Sequence, residues 1–313
     1  MHNMFADDVD HWIEANPEQA KRTLQWHKIV DTIATGIMTL AALLLVLVLL
    51  SVIGLLLYNG LAVINWQFLT TAGTFTEVGG GIGPQIFVSV YVLVLSLLFT
   101  TPIGVGAALY LAEYAKPSLL TTAIRFSTET LSSVPSIVFG IFGAIVFLGL
   151  MNLGYSVLSG ALTLTLLNLP LMVRISEEAI RAVPNTYREA SLALAATQWE
   201  TIRKIILPSA LPGILTAIVL TGGRIIGETA PLILTTGTTI SPNAQYSLNP
   251  LQTGETLAVH IWVLKIVGVP GLKDAQKVAD GTAAVLLLIV LAVNLGAAYL
   301  SNRLQKNQRG ARR

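Results

Sequence analysis

The apolar residues of the chain fall into six long blocks separated by polar segments. A helix that crosses a bilayer needs about 20 mostly apolar residues. The blocks over 29–58, 86–111, 134–153, 157–175, 211–234 and 282–300 are therefore predicted to be transmembrane helices. Pro102 predicts a kink in the second, and Pro170 lies inside the fourth. The first block follows a charged tail and has no small-residue cleavage site, so it reads as a retained span and not as a secretory signal. The expected fold class is an all-α integral membrane protein with six transmembrane helices.

The segments divide as follows. Residues 1–28 form an N-terminal tail, 29–58 the first span, 83–300 a core of five further spans, and 301–313 a basic tail. Within the core, a loop over about 184–208 follows the fourth span, and a long loop over about 235–281 precedes the last. The tail stretch EANPEQAKRTLQWHK reads either as a short helix along the membrane surface or as solvated chain. The long loop contains NPLQTGETLAVHIWVLKIVG, which predicts a short interfacial helix over 256–266 or a structured cover on the bundle.

Orientation follows from Lys and Arg, which concentrate in cytoplasmic loops. Lys21, Arg22 and Lys28 precede the first span, and Lys116 and Arg125 follow the second. Arg181, Arg188, Arg203 and Lys204 follow the fourth, and Arg303, Lys306, Arg309, Arg312 and Arg313 follow the sixth. The loops after the first and third spans carry none, and the long segment 235–281 has only Lys265, Lys273 and Lys277. Both termini are thus expected in the cytoplasm.

Composition narrows the class further. Of the 313 residues, 53% are hydrophobic and only 12% charged, about half the charge of a soluble domain. A net charge of +2 argues against a nucleic-acid partner. The absence of cysteine excludes thiolate catalysis, disulfides and cysteine metal sites. His2, His11, His27 and His260 have no metal-ligand spacing and read as solvated side chains, so no metal or other cofactor is expected. No G-x-x-x-x-G-K-[ST] phosphate loop occurs, so any ATP-driven role needs a separate ATPase.

The loop after the fourth span reads EEAIRAVPNTYREASLALAATQWETIRKIILPSALPG. Thr186 with Glu189, and Thr197 with Glu200, each fit a capping box. Two short helices are predicted over 187–194 and 198–206, with Pro208 ending the second. Such a charged hairpin serves either as a solvated surface feature or as a dock for a cytoplasmic partner.

Arg224 and Glu228 are the only charges deep within an apolar block. Four residues apart, they share one helix face. A charge at mid-membrane costs at least about 2.5–3.5 kcal/mol, so it pairs, faces protein or lines a wet path. Two readings stay open here: a structural ion pair, or a transport path in which Arg224 grips an oxyanion by parallel hydrogen bonds. Gly222, Gly223 and Gly227 would let a helix or a substrate come close. Ser132, Ser133 and Ser136 add hydroxyls suited to an anion or to helix packing.

The run Glu189, Ala190, Ser191, then Ala195, then Ile205, Leu207 and Pro208 is similar to the EAA loop of ABC importer permeases, whose pattern is EAA, three residues, Gly, nine residues, then I-x-LP. Ser191 stands in place of the third Ala, and Ala195 in place of the Gly that accepts positive φ at little cost. Three further segments resemble the phosphate importer permeases of that family: VPSIVFGIFG (134–143), LNLPLMVRISEEAIRAVP (167–184) and GRIIGETAPLILTTG (223–237). The last is similar to their R-x-x-GETAPL segment and points to the PstA-type subunit; ETLAVHIW (255–262) resembles them only weakly.

The resemblance implies a type I ABC importer permease fold in the inner membrane of a prokaryote. It implies a phosphate path involving Arg224, Glu228 and Ser136. It also implies a coupling loop of Glu189, Ala190, Ser191, Ala195, Leu207 and Pro208. The implied partners are a second permease of PstC type, two ATPase subunits, an extracytoplasmic phosphate-binding protein and membrane lipid. A permease for molybdate or sulfate is the nearest rival. An ion-coupled secondary transporter would show repeated broken helices, and no second copy is found in the sequence. No side-chain constellation with catalytic spacing appears, so the chain is not read as an enzyme.

Overall fold

The computed structural model describes residues 17–72, 80–241, 245–268 and 275–310, including the side chains of these residues at 25–296 and 299. Among the described residues every regular element is a helix. Five helices are long and apolar enough to cross a membrane, or six if one sharply bent pair counts as a single span.

The chain divides into two units, residues 1–57 and 58–313. In the first, α1 (Pro17–Leu61) starts at a proline, whose fixed φ suits a helix's first turn, and runs unbroken through Lys28 into the apolar block. This replaces the separate tail helix or solvated chain expected over 14–28; residues 14–16 lie outside the described residues. Leucine, valine and isoleucine occur all round the axis of α1, as on a helix solvated by lipid.

The second unit opens with α2 (Trp66–Thr70), capped by Asn65, whose Oδ1 accepts the Phe68 N–H at 2.7 Å. Helix α3 (Gly83–Leu109) contains Pro102 without ending there. It closes in a wide π turn, Tyr110–Tyr114, in which the Ala115 N–H returns to the Tyr110 carbonyl at 2.9 Å. Helix α4 (Leu119–Ser132) is capped by Ser118 and meets α5 (Ser136–Gly143, extended as a π segment Ala144–Leu150) at a bend of 101°. Pro135 explains the bend, because a proline pushes its predecessor out of the helical region. The third predicted span, 134–153, is therefore α5 alone, and it reaches membrane-crossing length only together with α4.

Helix α6 (Val157–Arg181) lies at the centre, packed against α3, α4 and α5. It is followed by α7 (Asn185–Ala193), then α8 (Gln198–Thr201), a π turn Ile202–Ile206, and α9 (Leu207–Gly227). Pro208 does not end a helix, as the sequence suggested. The Leu207 N–H reaches back five residues to Ile202, and after this wider turn Pro208 falls in the first turn of α9, where a missing N–H costs nothing. Nor is the fifth span one helix through 234. It stops at Gly227, Glu228 is extended with ψ 132°, and α10 (Ala230–Thr235) restarts with Pro231 in its first turn.

The expected helix near 256–266 is α11 (Leu257–Trp262), continued by a π turn Val263–Val267 and capped by Thr256, whose hydroxyl accepts from the Val259 N–H. The last helix, α12, spans Ala275–Gly310 and begins before the predicted 282. The loop before α11 is stitched down: Val157 and Leu158 N–H donate to the Gln252 and Pro250 carbonyls at 2.9 and 2.8 Å, and Tyr246 Oη donates to the Thr70 carbonyl at 2.8 Å.

Three apolar clusters hold the second unit. Val88, Val92, Leu164, Leu167, Ile225 and Leu232 join α3, α6, α9 and α10 in the middle. Phe68, Ile82, Leu257, Leu264 and Val278 close one end. Ala108, Ile180, Val183, Ile206 and Ile214 close the other, beneath the α7–α8 hairpin. Within the bilayer lipid is as apolar as these side chains, so the clusters hold by close packing and not by removal from water.

Candidate functional site

The intramembrane charges meet. Arg224 Nε lies 3.2 Å from Glu228 Oε1, with the two side chains 33% and 14% exposed. The pairing survives the helix end at Gly227, because the extended Glu228 still turns its carboxylate back over the last turn of α9. Among the described residues the two Nη groups of Arg224 make no hydrogen bond, and a third of its side chain is exposed. Gly223 serves close packing, while Gly222 has room for a Cβ. A Cβ on Gly223 would sit 2.9 Å from Asn294 Oδ1 of α12, whereas Gly227 faces open space.

The segments 134–143 and 223–237 come together. Helix α5 packs on α10, and Gly140 is where they touch: a Cβ there would stand 2.8 Å from the Pro231 Cα. Ser136, half-buried, opens α5, and the Glu228–Thr229 break opens α10. Ser132 and Ser133 are exposed and spend their hydroxyls on the carbonyls of Glu129 and Thr130.

At the end closed by the hairpin, the predicted coupling residues separate by role. Glu189 and Ala190 are exposed on α7, while Ser191 is buried with its Oγ 2.8 Å from Thr201 Oγ1, joining α7 to α8. Ala195 makes the turn at φ +60°, a conformation that L side chains other than Asn and Asp rarely adopt. The capping box at Thr197 and Glu200 is present. The one at Thr186 and Glu189 is not, because α7 starts two residues earlier, with Pro184 at its N-cap, and Thr186 falls inside the first turn. Leu207 is half-buried and Pro208 exposed at the α8–α9 junction.

Residues that the sequence reading passed over complete this end. Leu194 and Trp199 are 85% and 59% exposed beside Ala190 and Glu189, an apolar patch on a polar hairpin. Glu113 is 8% exposed and binds Arg188 at 2.6 Å; Glu177 is 12% exposed and binds both Arg125 and Arg181 at 2.9 Å. Ordinary spacing rules miss the Glu113 pair because 75 residues separate its members. A cleft of about 370 Å³ between α4 and α6 is lined by Arg125, Arg174 and Arg181 with Glu129, Glu177 and Glu178. Its arginines are committed to those glutamates, which leaves no surplus positive charge.

At the opposite end His260 is not the solvated side chain expected. Its Nδ1 lies 3.0 Å from the buried Glu255 carboxylate, and that carboxylate accepts from Gln85 Nε2 at 3.1 Å. His27 is exposed, and His2 and His11 lie outside the described residues.

A multi-helix bundle of membrane-crossing length, with a half-buried ion pair at the end of one span and a hairpin standing at one end, fits a membrane transport subunit. The chain belongs to the family described as "Binding-protein-dependent transport system inner membrane component", matched over residues 101–310. This is the permease family of ABC importers, so the resemblance carried by the EAA-like loop holds. The chain is 42% identical to the "Probable ABC transporter permease protein YqgI" of Bacillus subtilis (strain 168), over 89% of this chain and 97% of that one. It is 38% identical to the "Phosphate transport system permease protein PstA" of Xylella fastidiosa (strain Temecula1 / ATCC 700964), over 71% and 75%. Its fold matches a chain of the inward-facing MetNI methionine ABC transporter with a TM-score of 0.57 at 18% identity, covering 70% of this chain and 94% of that one. The type I importer permease architecture is thereby shown.

Proposed function

We propose that this chain is the PstA-type permease subunit of an ATP-driven phosphate importer. The observation that carries the reading is Arg224, in a membrane-crossing helix and a third exposed, whose guanidinium is held among the described residues through Nε alone. A guanidinium so placed offers the two-point geometry that an oxyanion of phosphate accepts. Glu228 balances it when the path is empty. The identity to PstA proteins supports phosphate over other oxyanions. Both termini and the α7–α8 hairpin face the cytoplasm in this reading, Glu189, Ala190, Leu194 and Trp199 dock an ATPase subunit, and a paired PstC-type permease completes the path. Two ATPase subunits power it, and an extracytoplasmic phosphate-binding protein delivers the substrate.

Labelled-phosphate uptake by the reconstituted complex, with sulfate and molybdate as competitors, tests the substrate. Arg224→Gln with Glu228→Gln tests the site. A purely structural pair tolerates losing both charges better than losing Arg224 alone, because the single change strands a buried carboxylate. The expected outcome is a double variant that assembles with its ATPase and does not import phosphate. Near-normal uptake by that assembled variant would overturn the site, and equal competition by sulfate would overturn the substrate.

A further inference from the structure

The α7–α8 hairpin is bolted to α3 at one residue. Arg188 of α7 gives Nη2 and Nε to Glu113 Oε1 at 2.6 and 3.1 Å, and Nε also reaches Oε2 at 3.2 Å. The rest of the same guanidinium binds its own neighbourhood: Nη1 donates to the Val183 carbonyl at 2.6 Å and Nη2 to the Ile180 carbonyl at 3.1 Å. The second helix of the hairpin is tied to the same place, for Gln198 Nε2 donates to the Glu113 carbonyl at 2.9 Å. Both arms of the hairpin therefore hold Glu113, and Glu113 is nearly buried.

Glu113 sits in the π turn Tyr110–Tyr114, and that turn is a junction. Two residues before it, the Leu111 carbonyl accepts from Arg125 of α4 at 3.3 Å and from Arg181 of α6 at 3.2 Å. Those two arginines converge on Glu177. Charge-assisted bonds thus run from the hairpin, through one turn of α3, into α4 and α6. Helix α4 ends at the 101° bend into α5, and α5 packs on α10 directly after Glu228.

We propose that Glu113 and Arg188 form the rigid joint that carries movement of the docked hairpin into α3 and, through Leu111 and Arg125, into the α4–α5 bend beside the transport path. Both are positioning residues that touch neither substrate nor nucleotide. The geometry suits transmission: a buried, bidentate pair has one arrangement and does not slide, unlike an exposed pair of flexible side chains. Wide π turns in helices concentrate at functional sites, and this one presents the carboxylate and the two carbonyls of the junction on neighbouring residues.

The inference rests on the reading of the hairpin as the ATPase dock, and the two fail differently. If docking is wrong, Ala190→Trp retains both the ATPase and uptake. If the joint is wrong, Ala190→Trp loses the ATPase while Glu113→Gln and Arg188→Gln change nothing in coupling. The test uses the full complex in proteoliposomes and reads three quantities: ATPase co-purification, ATP hydrolysis, and phosphate imported per ATP. Glu113→Gln and Arg188→Gln are expected to keep the ATPase bound and hydrolysing, with phosphate per ATP down at least tenfold. The double variant Glu113→Cys with Arg188→Cys guards against a folding defect, since this chain has no other cysteine. In a complex whose other subunits lack accessible thiols, a short reversible thiosulfonate cross-linker should restore coupling, and its reduction should remove it again. Unchanged phosphate per ATP in the assembled single variants overturns the joint. So does a cross-linked double variant that stays as uncoupled as the reduced one.

Discussion

Ser191 Oγ lies 2.8 Å from Thr201 Oγ1 and closes the hairpin from the inside, across the turn at Ala195. The departure of Ser191 from the EAA pattern thus has a physical reason: both residues are about 95% buried, and an alanine would leave Thr201 only its bond to the Thr197 carbonyl. A double-mutant cycle of Ser191→Ala and Thr201→Val should show a coupling of about 0.5–1.5 kcal/mol, the net worth of one buried hydrogen bond. Thermal unfolding of the purified complex measures it, and additive single effects would mean that the two hydroxyls do not interact.

Ala195 carries the left-handed conformation in which a glycine would be at ease. Its Cβ meets the following carbonyl there, at a cost of roughly 1–2 kcal/mol. Ala195→Gly should therefore stabilise the hairpin by up to about 1 kcal/mol, after the entropy that glycine loses on folding. Amide hydrogen exchange across 191–201 should slow in the variant, whereas Ala195→Val should speed it. Faster exchange in the glycine variant would contradict the strain.

Gly140 has backbone nearest to it, with the Leu234 side chain beside that. Since a Cβ would stand 2.8 Å from the Pro231 Cα, Gly140→Ala must push α10 away from α5. Overpacking of this kind costs about 1–3 kcal/mol. The expected result is a less stable subunit with weakened phosphate uptake, read by thermal shift and transport side by side. Gly227→Ala, facing open space, serves as the control and should keep its stability.

Topology is testable because the chain has no cysteine of its own. The hydrogen bond from Tyr246 to Thr70 puts those two segments at one end of the second unit, and the pair of Arg188 with Glu113 puts two others together. Single variants Thr70→Cys, Leu120→Cys, Ala190→Cys and Gln245→Cys can be exposed to an impermeant thiol reagent. Outside labelling is expected at 70 and 245 only. Strong outside labelling at 190 would invert the orientation and with it the docking role of the hairpin.

The sequence by itself determined the membrane class and the approximate place of each span, because lipid demands long apolar runs whatever their neighbours. It determined the hairpin at 184–208 as well and put Arg224 and Glu228 one turn apart, since both rest on local spacing, while the contact between the two charges came from the structure. Tertiary structure alone decided where helices break and what their ends hold. Pro208 reads as a stop, yet a π turn before it lets the helix run on; Glu228 reads as one more helical residue, yet the chain straightens there and restarts at Ala230. The run over 134–153 reads as a full span, yet it is α5 alone, which reaches membrane-crossing length only with α4 across a 101° bend. The buried carboxylates Glu113 and Glu177 gave no sign of burial, for each lies near a helix end, beside a polar loop. Only packing brings Arg188 to Glu113 across 75 positions of chain, and only there does removal from water turn an ordinary surface charge into one that must be paired.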